Sequence, residues 1–413
     1  MSVRQFFTAC CLIFTVAAYS QEWTRFRGPN GSGTGKVSGL PAEFTQAHCE
    51  WRVEIEGAGH SSPVLWGDLI FLTTAEETTR KVLAIDCKSG EKKWEFVDTV
   101  AEHHHHRFNN FAAATPTCDA DGVYVVWVTG TQTVALGLSH SGEKLWQREW
   151  DGFTSDHGHA ASPILVQGRL VLHTDSKDEY KSQVRALDPK TGETLWEMER
   201  VTPKTDEKHL SAYSTPTEVM AGGRPTVAVV QTNDGWKGLD PLNGSVAWAY
   251  PGEYTFRSVS SIVESDGMVF ATFGSGGDGK QSSALKPGKT AKPKVIFSLG
   301  KGEGLSYVPT PLIHEGLLYL WGDGGILTCR DALTGEEIYK ERLNGNFFSS
   351  PVIADGKIYC ASKDGEMVSV ALGKSFAVLG RSKLESGVNA TPAVANGRLI
   401  VRTDTHLFSL KGK

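Results

Sequence analysis

The stretch from Ser162 to Trp196, SPILVQGRLVLHTDSKDEYKSQVRALDPKTGETLW, sets the pattern for most of this 413-residue chain. It begins with Ser-Pro, passes through short runs of β-branched and aliphatic residues, and ends with Ala-Leu-Asp, Thr-Gly-Glu and Trp. Turn dipeptides with glycine, such as Thr191-Gly192, supply the positive φ angles that tight hairpins require. The stretch therefore predicts consecutive antiparallel strands rather than helices.

The same unit recurs along the chain every 40–53 residues. Each copy begins with Ser or Thr followed by proline, except for a degenerate copy near Ser261 that lacks the proline. The copies start at Ser62, Thr115, Ser162, Thr215, Ser261, Thr310, Ser350 and Thr391. Four short strand-like runs per copy, repeated at this spacing, are typical of the blades of a β-propeller. Eight starts predict eight blades.

The two ends of the repeat array indicate how the ring closes. The last unit, from Thr391 to Leu410, contains three strand-like runs and lacks an outer strand. An orphan strand of that type, residues 51–55, precedes the first unit, and its pairing with the last blade would hide two sheet edges. We therefore predict an all-β fold, an eight-bladed β-propeller with four antiparallel strands per blade, over residues 51–413.

The repeat of Ser/Thr-Pro, Ala-Leu-Asp, Thr-Gly-Glu and Trp resembles the pyrroloquinoline-quinone (PQQ)-type repeat of the quinoprotein alcohol dehydrogenase-like superfamily. Quinoprotein dehydrogenases and many non-enzymatic exported propellers share that repeat. The segments Trp23-x-x-Phe26-Arg27-Gly28-Pro29-Asn30-Gly31 and Ile400-Val401-Arg402-Thr403…His406-Leu407-Phe408 resemble a large family of exported bacterial propellers. This second resemblance implies the non-enzymatic branch, and it implies fold and export rather than a particular chemistry.

The N-terminus reads as an export signal over residues 1–20. Arg4 supplies a positive charge, an apolar stretch follows, and Ala18-Tyr19-Ser20 fits a cleavage site that would leave Gln21 as the mature start. A Gly-rich segment, residues 21–50, would then precede the propeller. No later run approaches the ~20 apolar residues of a membrane span, so the mature protein is expected to be periplasmic or secreted. Lipid attachment at Cys10 or Cys11 is the alternative.

Charge and cysteine content exclude several classes of protein. A formal net charge of −5 argues against a nucleic-acid binder. The five cysteines beyond the signal show no C-x-x-C spacing, which argues against a disulfide framework or a zinc ribbon.

A closed ring needs no partner to fold, so we expect a monomer.

Residues just before each Ser/Thr-Pro should lie at the mouth of the central channel, because the inner strand of each blade starts beside that channel. These residues are polar and aromatic, with imidazoles on three neighbouring blades. They are His60, Asn109, His157, His159, Tyr213, Arg257, Tyr307, Asn346 and Asn389. Such a set is typical of a ligand or metal site. Solvated loop histidines are the alternative.

A run of four histidines ends at His106, between the first and second blades. Four adjacent imidazoles cannot all face one metal ion, but two alternating ones can. A divalent metal held by His106, His157 and His159, with His60 as a further candidate, is therefore a hypothesis. The glycine-rich run from Gly28 to Lys36 departs from a phosphate-binding loop and predicts instead a flexible segment laid across the ring.

Two further repeat positions are expected to be structural. Tryptophans four residues after a repeat glycine should pack between blades. They are Trp94, Trp146, Trp196 and Trp248. Aspartates at one recurring position should cap turns. They are Asp86, Asp188, Asp240 and Asp331.

The catalytic equipment that the quinoprotein resemblance implies is a vicinal cysteine disulfide, a catalytic aspartate and a calcium site. The vicinal pair here, Cys10-Cys11, falls in the signal, and Asp156 and Glu253 are the carboxylates nearest the channel. We therefore predict an exported binding or scaffold propeller that holds a protein partner or a small ligand at a ring face or channel mouth, without PQQ. The alternative is a PQQ- or metal-dependent oxidoreductase, or a histidine-based hydrolase, at the same mouth.

Overall fold

A computed structural model describes residues 22–100, 106–107, 109–129, 131–152, 155, 157–176, 182–200, 211–232 and 234–411. The predicted signal, residues 1–20, lies outside this part of the chain, as do three of the four consecutive histidines and Asp156. The described residues form an all-β ring of eight four-stranded sheets. The prediction of eight blades is confirmed.

Blades 1 to 4 contain sixteen strands in chain order. Blade 1 has β2 (Val64–Trp66), β3 (Leu69–Ala75), β4 (Thr79–Asp86) and β5 (Lys92–Thr99). Blade 2 has β6 (Thr117–Cys118), β7 (Val123–Val128), β8 (Gln132–Leu138) and β9 (Lys144–Asp151). Blade 3 has β10 (Ile164–Val166), β11 (Arg169–Thr174), β12 (Ser182–Leu187) and β13 (Thr194–Arg200). Blade 4 has β14 (Thr217–Ala221), β15 (Arg224–Gln231), β16 (Gly235–Leu239) and β17 (Val246–Tyr250).

Blades 5 to 8 complete the ring. Blade 5 has β18 (Val263–Ser265), β19 (Met268–Ser275), β20 (Asp278–Lys286) and β21 (Lys294–Phe297). Blade 6 has β22 (Leu312–His314), β23 (Leu317–Trp321), β24 (Ile326–Asp331) and β25 (Glu337–Arg342). Blade 7 has β26 (Val352–Ala354), β27 (Lys357–Ala361), β28 (Glu366–Ala371) and β29 (Val378–Lys383). Blade 8 has β30 (Ala393–Ala395), β31 (Arg398–Arg402), β32 (His406–Lys411) and, from the N-terminal side, β1 (Cys49–Glu54).

Ring closure follows the predicted pairing of the chain ends. Strand β1 pairs antiparallel with β32, with Trp51 opposite Ser409 and Glu54 opposite His406. The observed strand begins two residues before the predicted 51–55 segment and ends one residue before its end. Because the outer strand of blade 8 comes from the start of the propeller, its sheet joins the two ends of the ring.

Hairpin turns between the first and second strands explain the glycine spacing. In six blades the two turn residues both have positive φ, the combination that a type I′ turn requires. These pairs are Gln167-Gly168, Gly222-Gly223, Asp266-Gly267, Glu315-Gly316, Asp355-Gly356 and Asn396-Gly397. This geometry matches the right-handed twist of the flanking strands, so it keeps each blade paired along its length.

The repeat tryptophans connect neighbouring blades, as predicted. The indole N–H of Trp146 in blade 2 donates to the carbonyl of Pro189 in blade 3 at 2.7 Å. A Cβ on Gly192 would lie 2.5 Å from the same indole ring, so this position, which also has φ of +69°, accepts only glycine. Trp51, Trp94 and Trp196 donate to the next blade in the same way.

Two further details of the repeat are resolved by the structure. The fourth predicted tryptophan, Trp248, is also buried but donates within its own blade, to Thr226. The repeat aspartates accept backbone N–H groups of their turns, as predicted, and Asp188 does so from Lys190 and Thr191.

None of the helices in the described part of the chain is long and apolar enough to cross a membrane.

Candidate functional site: a cup in the central channel

A closed circle of hydrogen bonds surrounds the channel, and we call it the hydroxyl ring. Its members are the residues that start each repeat, and the hydroxyl of each accepts the backbone N–H of its counterpart in the preceding blade, at 2.9–3.1 Å. The members are Ser62, Thr115, Ser162, Thr215, Ser261, Thr310, Ser350 and Thr391. The circle explains why every repeat begins with Ser or Thr, including the one that lacks proline.

Residues 22–36, which we call the plug, cross the channel beside the inner strands of the blades, where Trp23 forms a β-bridge to Leu65 and Thr34 one to Ile353. The plug bonds to blade 1 through Trp23 and Leu65, whose backbones exchange two hydrogen bonds at 2.9 and 3.3 Å. It reaches blade 7 through Gly35, whose N–H donates to the carbonyl of Ile353 at 2.9 Å. Together with the contacts of Asn30 to Thr217 and Glu218 in blade 4, these bonds tie the plug to blades on several sides of the ring and hold it across the lower end of the channel.

Two buried arginines anchor the plug between those contacts. Arg27 donates to the backbone carbonyls of Thr310 and Pro311, both at 2.8 Å, and Arg25 donates to the carbonyl of Pro216 at 2.7 Å. Burial lowers the pKa of Arg27 to about 9 and that of Arg25 to about 10, so both remain protonated at neutral pH. The glycine-rich run is therefore laid across the ring, as predicted, and not a phosphate loop, but it is held there by specific hydrogen bonds instead of being flexible.

Above the plug lies a cavity of about 520 Å³, which we call the cup. The ring of Phe26 from the plug lines the cup, all eight hydroxyls of the ring line it, and residues preceding each inner strand form its upper wall. Because ligand pockets commonly measure ~300–1,000 Å³, the cup has the size of a site for a small molecule.

The structure brings seven of the nine predicted mouth residues together around the cup. They are His60, Asn109, His157, Tyr213, Arg257, Tyr307 and Asn389. Asn346 does not line the cup, and Phe348 lines it on blade 7 instead. His159 lies behind the wall in a small separate pocket, where burial and then the nearby His173 lower its pKa to about 4.

The predicted histidine cluster is only partly assembled in the described residues. The rings of His106 and His157 lie 4.3 Å apart, and His157 lies edge-on to Tyr213 at 5.7 Å. Nowhere in the described ranges do three or more His, Cys, Asp or Glu side chains come together as a possible metal site. His159 is separated from this pair by its position behind the wall, so the proposed trio of His106, His157 and His159 does not converge there.

Asp323 is a carboxylate of the cup that sequence reasoning missed. It lies in the turn between β23 and β24, and it accepts the backbone N–H groups of Tyr307 and Val308. Burial raises the pKa of Asp323 to about 6, although those two N–H groups oppose the shift. The matching turn of blade 8, where Asp404 accepts a hydrogen bond from Asn389, is the signal that could have found it.

The residues around the cup do not match the equipment of a calcium-dependent quinone enzyme. A calcium site needs six to eight oxygen ligands, usually with several carboxylates. Asp323 is the one carboxylate that lines the cup among the described residues, and its oxygens already accept backbone N–H groups. The described cysteines, Cys49, Cys87, Cys118, Cys329 and Cys360, are all unpaired. We therefore derive no reaction step through a quinone.

Fold and cavity together define a β-propeller with a ligand-sized pocket on its axis. The chain matches the family model PQQ_2, described as outer membrane protein assembly factor BamB, over residues 32–148, 110–276 and 275–375. The chain belongs to this family. The resemblance to PQQ-type repeats is confirmed.

Similar proteins include both dehydrogenases and a BamB. A quinoprotein ethanol dehydrogenase of Pseudomonas putida is 23% identical over 274 residues, which are 61% of this chain and 39% of that enzyme. BamB from Moraxella catarrhalis superposes with a TM-score of 0.65 at 15% identity, over 88% of this chain and 99% of that one. A quinohemoprotein alcohol dehydrogenase from Comamonas testosteroni gives 0.65 at 12% identity, over 95% and 81%. These structural likenesses concern the fold alone.

Proposed function

We propose that this protein is an exported binding propeller that holds a small ligand in the cup. The observation that supports this most directly is the cavity of about 520 Å³ beneath the mouth, closed below by Phe26 of the plug. Concave sites of this size with aromatic walls and a few polar groups are the usual form of small-molecule sites. Export rests on the predicted signal and on the family.

The walls of the cup combine groups that can orient a ligand with groups that can cover it. Arg257, Asp323 and the imidazoles offer charge and hydrogen bonds, while Phe26 and Phe348 offer apolar surface. A dehydrogenase or a metal-dependent hydrolase would need reacting groups held at bonding distance from one another. The described cup provides a single carboxylate and one close imidazole pair, which suits binding better than turnover.

The proposal is tested by a binding screen with a blocked cup. The purified protein is screened by thermal shift and native mass spectrometry against sugars, carboxylic acids, amino acids and nucleotides. Any ligand of the cup should raise the melting temperature of the wild type and lose its effect in Ala160→Trp, which fills the cup wall. Ala120→Trp, at an exposed turn, is the matched control and should retain the effect.

Two results would overturn small-ligand binding in the cup. One is a screen in which every class leaves the melting temperature unchanged, and the other is a ligand whose effect survives Ala160→Trp. Ala113→Trp blocks the cup from the neighbouring blade, and it replaces Ala160→Trp if that variant melts early.

A protein partner at a ring face is the second candidate, and the likeness to BamB favours it. Exposed apolar side chains on adjacent outer strands offer a surface for such a partner, with Leu145 47%, Leu195 45% and Val246 50% exposed on blades 2, 3 and 4. Replacing all three by Lys should abolish a partner complex recovered by affinity purification, and it should leave ligand binding in the cup unchanged.

A further inference from the structure

The hydroxyl ring carries unused hydrogen-bonding capacity into the cup. Each hydroxyl oxygen already accepts one backbone N–H, which leaves its own proton and one further lone pair. Within the described residues no group accepts these eight protons, and every member is between 2% and 7% exposed. A ligand in the cup therefore meets a circle of hydroxyls, each of which can still donate one hydrogen bond and accept one. A hydroxyl group on the ligand can also donate and accept, so it complements them.

Aromatic rings border the same space. Phe26 forms the floor, Tyr213 and Tyr307 stand in the wall, and Phe348 lines the cup while Lys363 Nζ lies 3.9 Å from its ring centroid. The face of an aromatic ring carries partial negative charge. Such faces attract the polarised C–H groups of a sugar ring, whose hydroxyls point outward around its edge.

The charges of the cup favour a ligand without net charge. Arg257 and Asp323 are the strong charges that line it among the described residues, and they are opposite in sign. The guanidinium groups of Arg25 and Arg27 lie behind the floor and donate to backbone carbonyls just before the inner strands of blades 4 and 6. A polyanion would find one permanent cation lining the cup, Arg257, with the carboxylate of Asp323 opposing it, and a purely apolar ligand would leave the eight hydroxyls without partners.

We infer that the cup binds a neutral carbohydrate, a mono- or disaccharide whose hydroxyls bond to the hydroxyl ring and whose C–H face packs on Phe26 and the wall aromatics. This inference rests on the proposed function and names the substrate class of the same site. The hydroxyl ring should discriminate between a sugar and its deoxygenated analogue. A deoxygenated analogue would leave a buried hydroxyl of the ring without a partner, and this costs more binding free energy than one extra contact contributes.

The experiment is calorimetric titration of the full mature chain with probes of two kinds. Neutral probes are glucose, galactose, mannose, xylose, maltose and cellobiose, and anionic probes are citrate, glucuronate and inorganic phosphate. At least one neutral sugar should bind with one-to-one stoichiometry. Its affinity should fall about three- to tenfold in Phe348→Ala, the range expected for loss of one aromatic contact. Phe376→Ala, on the outer edge of blade 7, is the matched control and should leave the affinity unchanged.

The outcomes separate the inference from the proposed function. Binding of citrate or phosphate with no response to any neutral sugar would overturn the carbohydrate assignment and leave small-ligand binding in place. Equal losses in Phe348→Ala and Phe376→Ala would place the sugar outside the cup and overturn the inference too. If every probe fails here while another class from the screen binds in the cup, the inference alone is wrong.

Discussion

The two ends of the central channel are built on opposite principles. At the lower end, the plug is held by backbone pairing and by guanidinium groups that donate to carbonyls, and both Trp23 and Arg27 are 0% exposed. At the mouth, imidazole, phenol and guanidinium groups line a cavity of about 520 Å³. The polar groups at the lower end form hydrogen bonds with other groups of the protein, whereas those at the mouth face a space that a ligand can fill. Substitutions below should therefore change stability, and substitutions above should change binding.

Loss of the plug tryptophan should have the largest effect on this contrast. Trp23→Ala removes a fully buried indole that packs against Gly28, so the free energy of unfolding should fall by about 3–5 kcal/mol. Urea unfolding followed by circular dichroism measures it. Trp150→Ala, on a partly exposed outer strand, should lose clearly less. An equal loss at both positions would mean that the plug does not close the channel as described.

Two buried titrating groups, Asp323 in the cup and His159 behind its wall, should give slopes of opposite sign in the dependence of stability on pH between pH 4 and 6.5. The pKa of Asp323 is raised to about 6, so the folded state holds a proton that the unfolded state has released, and stability falls as pH rises through this window. The pKa of His159 is lowered to about 4, so the unfolded state binds the extra proton and stability rises with pH. Each contributes at most about 3 kcal/mol.

Single substitutions separate these two slopes. Measured by urea unfolding from pH 4 to 7, Asp323→Asn should lose the falling component, and His159→Gln should lose the rising one. The matched comparison is the difference between each variant and the wild type at every pH, which cancels the other carboxylates. Differences that stay constant with pH would show that neither group titrates in this window.

Removal of one hydroxyl from the ring should have an intermediate effect. Thr391→Val keeps the shape of the side chain but leaves the buried N–H of Ser350 without its acceptor, so stability should fall by about 1–3 kcal/mol. Thermal or urea unfolding measures the loss, and Thr334→Val at an exposed turn is the control. A loss at Thr391 no larger than at Thr334 would argue that the circle of hydrogen bonds does not stabilise the ring.

The smallest change in stability is expected at the mouth. Tyr213→Phe removes a phenol oxygen that accepts the backbone N–H of His157 at 3.3 Å, and the free energy of unfolding should fall by about 0.5–1 kcal/mol, because the ring stays packed and water can reach the partly exposed His157. The same variant should weaken binding of any ligand that reaches this wall. A large loss of stability without a change in binding would reverse the proposed division between the two ends.

Sequence reasoning reached the fold because the repeat encodes it locally. Turn glycines, the Ser/Thr starts and the glycine–tryptophan spacing recur in several or all of the blades with similar structural uses, so the copies support one another. The orphan strand was also found from the sequence, since the last blade visibly lacked its partner. It pairs with β32 at the other end of the chain, and this pairing was predictable because a closed ring needs a fourth strand in its last blade.

The cup itself was only partly predictable. Position before the inner strands located His60, Tyr213, Arg257 and other mouth residues, because that position is set by the blade. Phe26 and Asp323 were missed since neither belongs to the repeat pattern at the mouth: one comes from the plug, and the other from a turn of blade 6. The place of Phe26 depends on how the plug crosses the ring, which sequence spacing does not encode. Asp323 lies in a turn inside its own blade, and its counterpart Asp404 in blade 8 marks the same position.

A crystal structure of the protein purified from its own cells, without refolding or added ligand, tests the central claim most directly. We expect a channel closed below by residues 22–36, with Phe26 as the floor, and electron density for a small molecule in contact with the hydroxyl ring. A channel open at both ends, with residues 22–36 bound elsewhere, would contradict it.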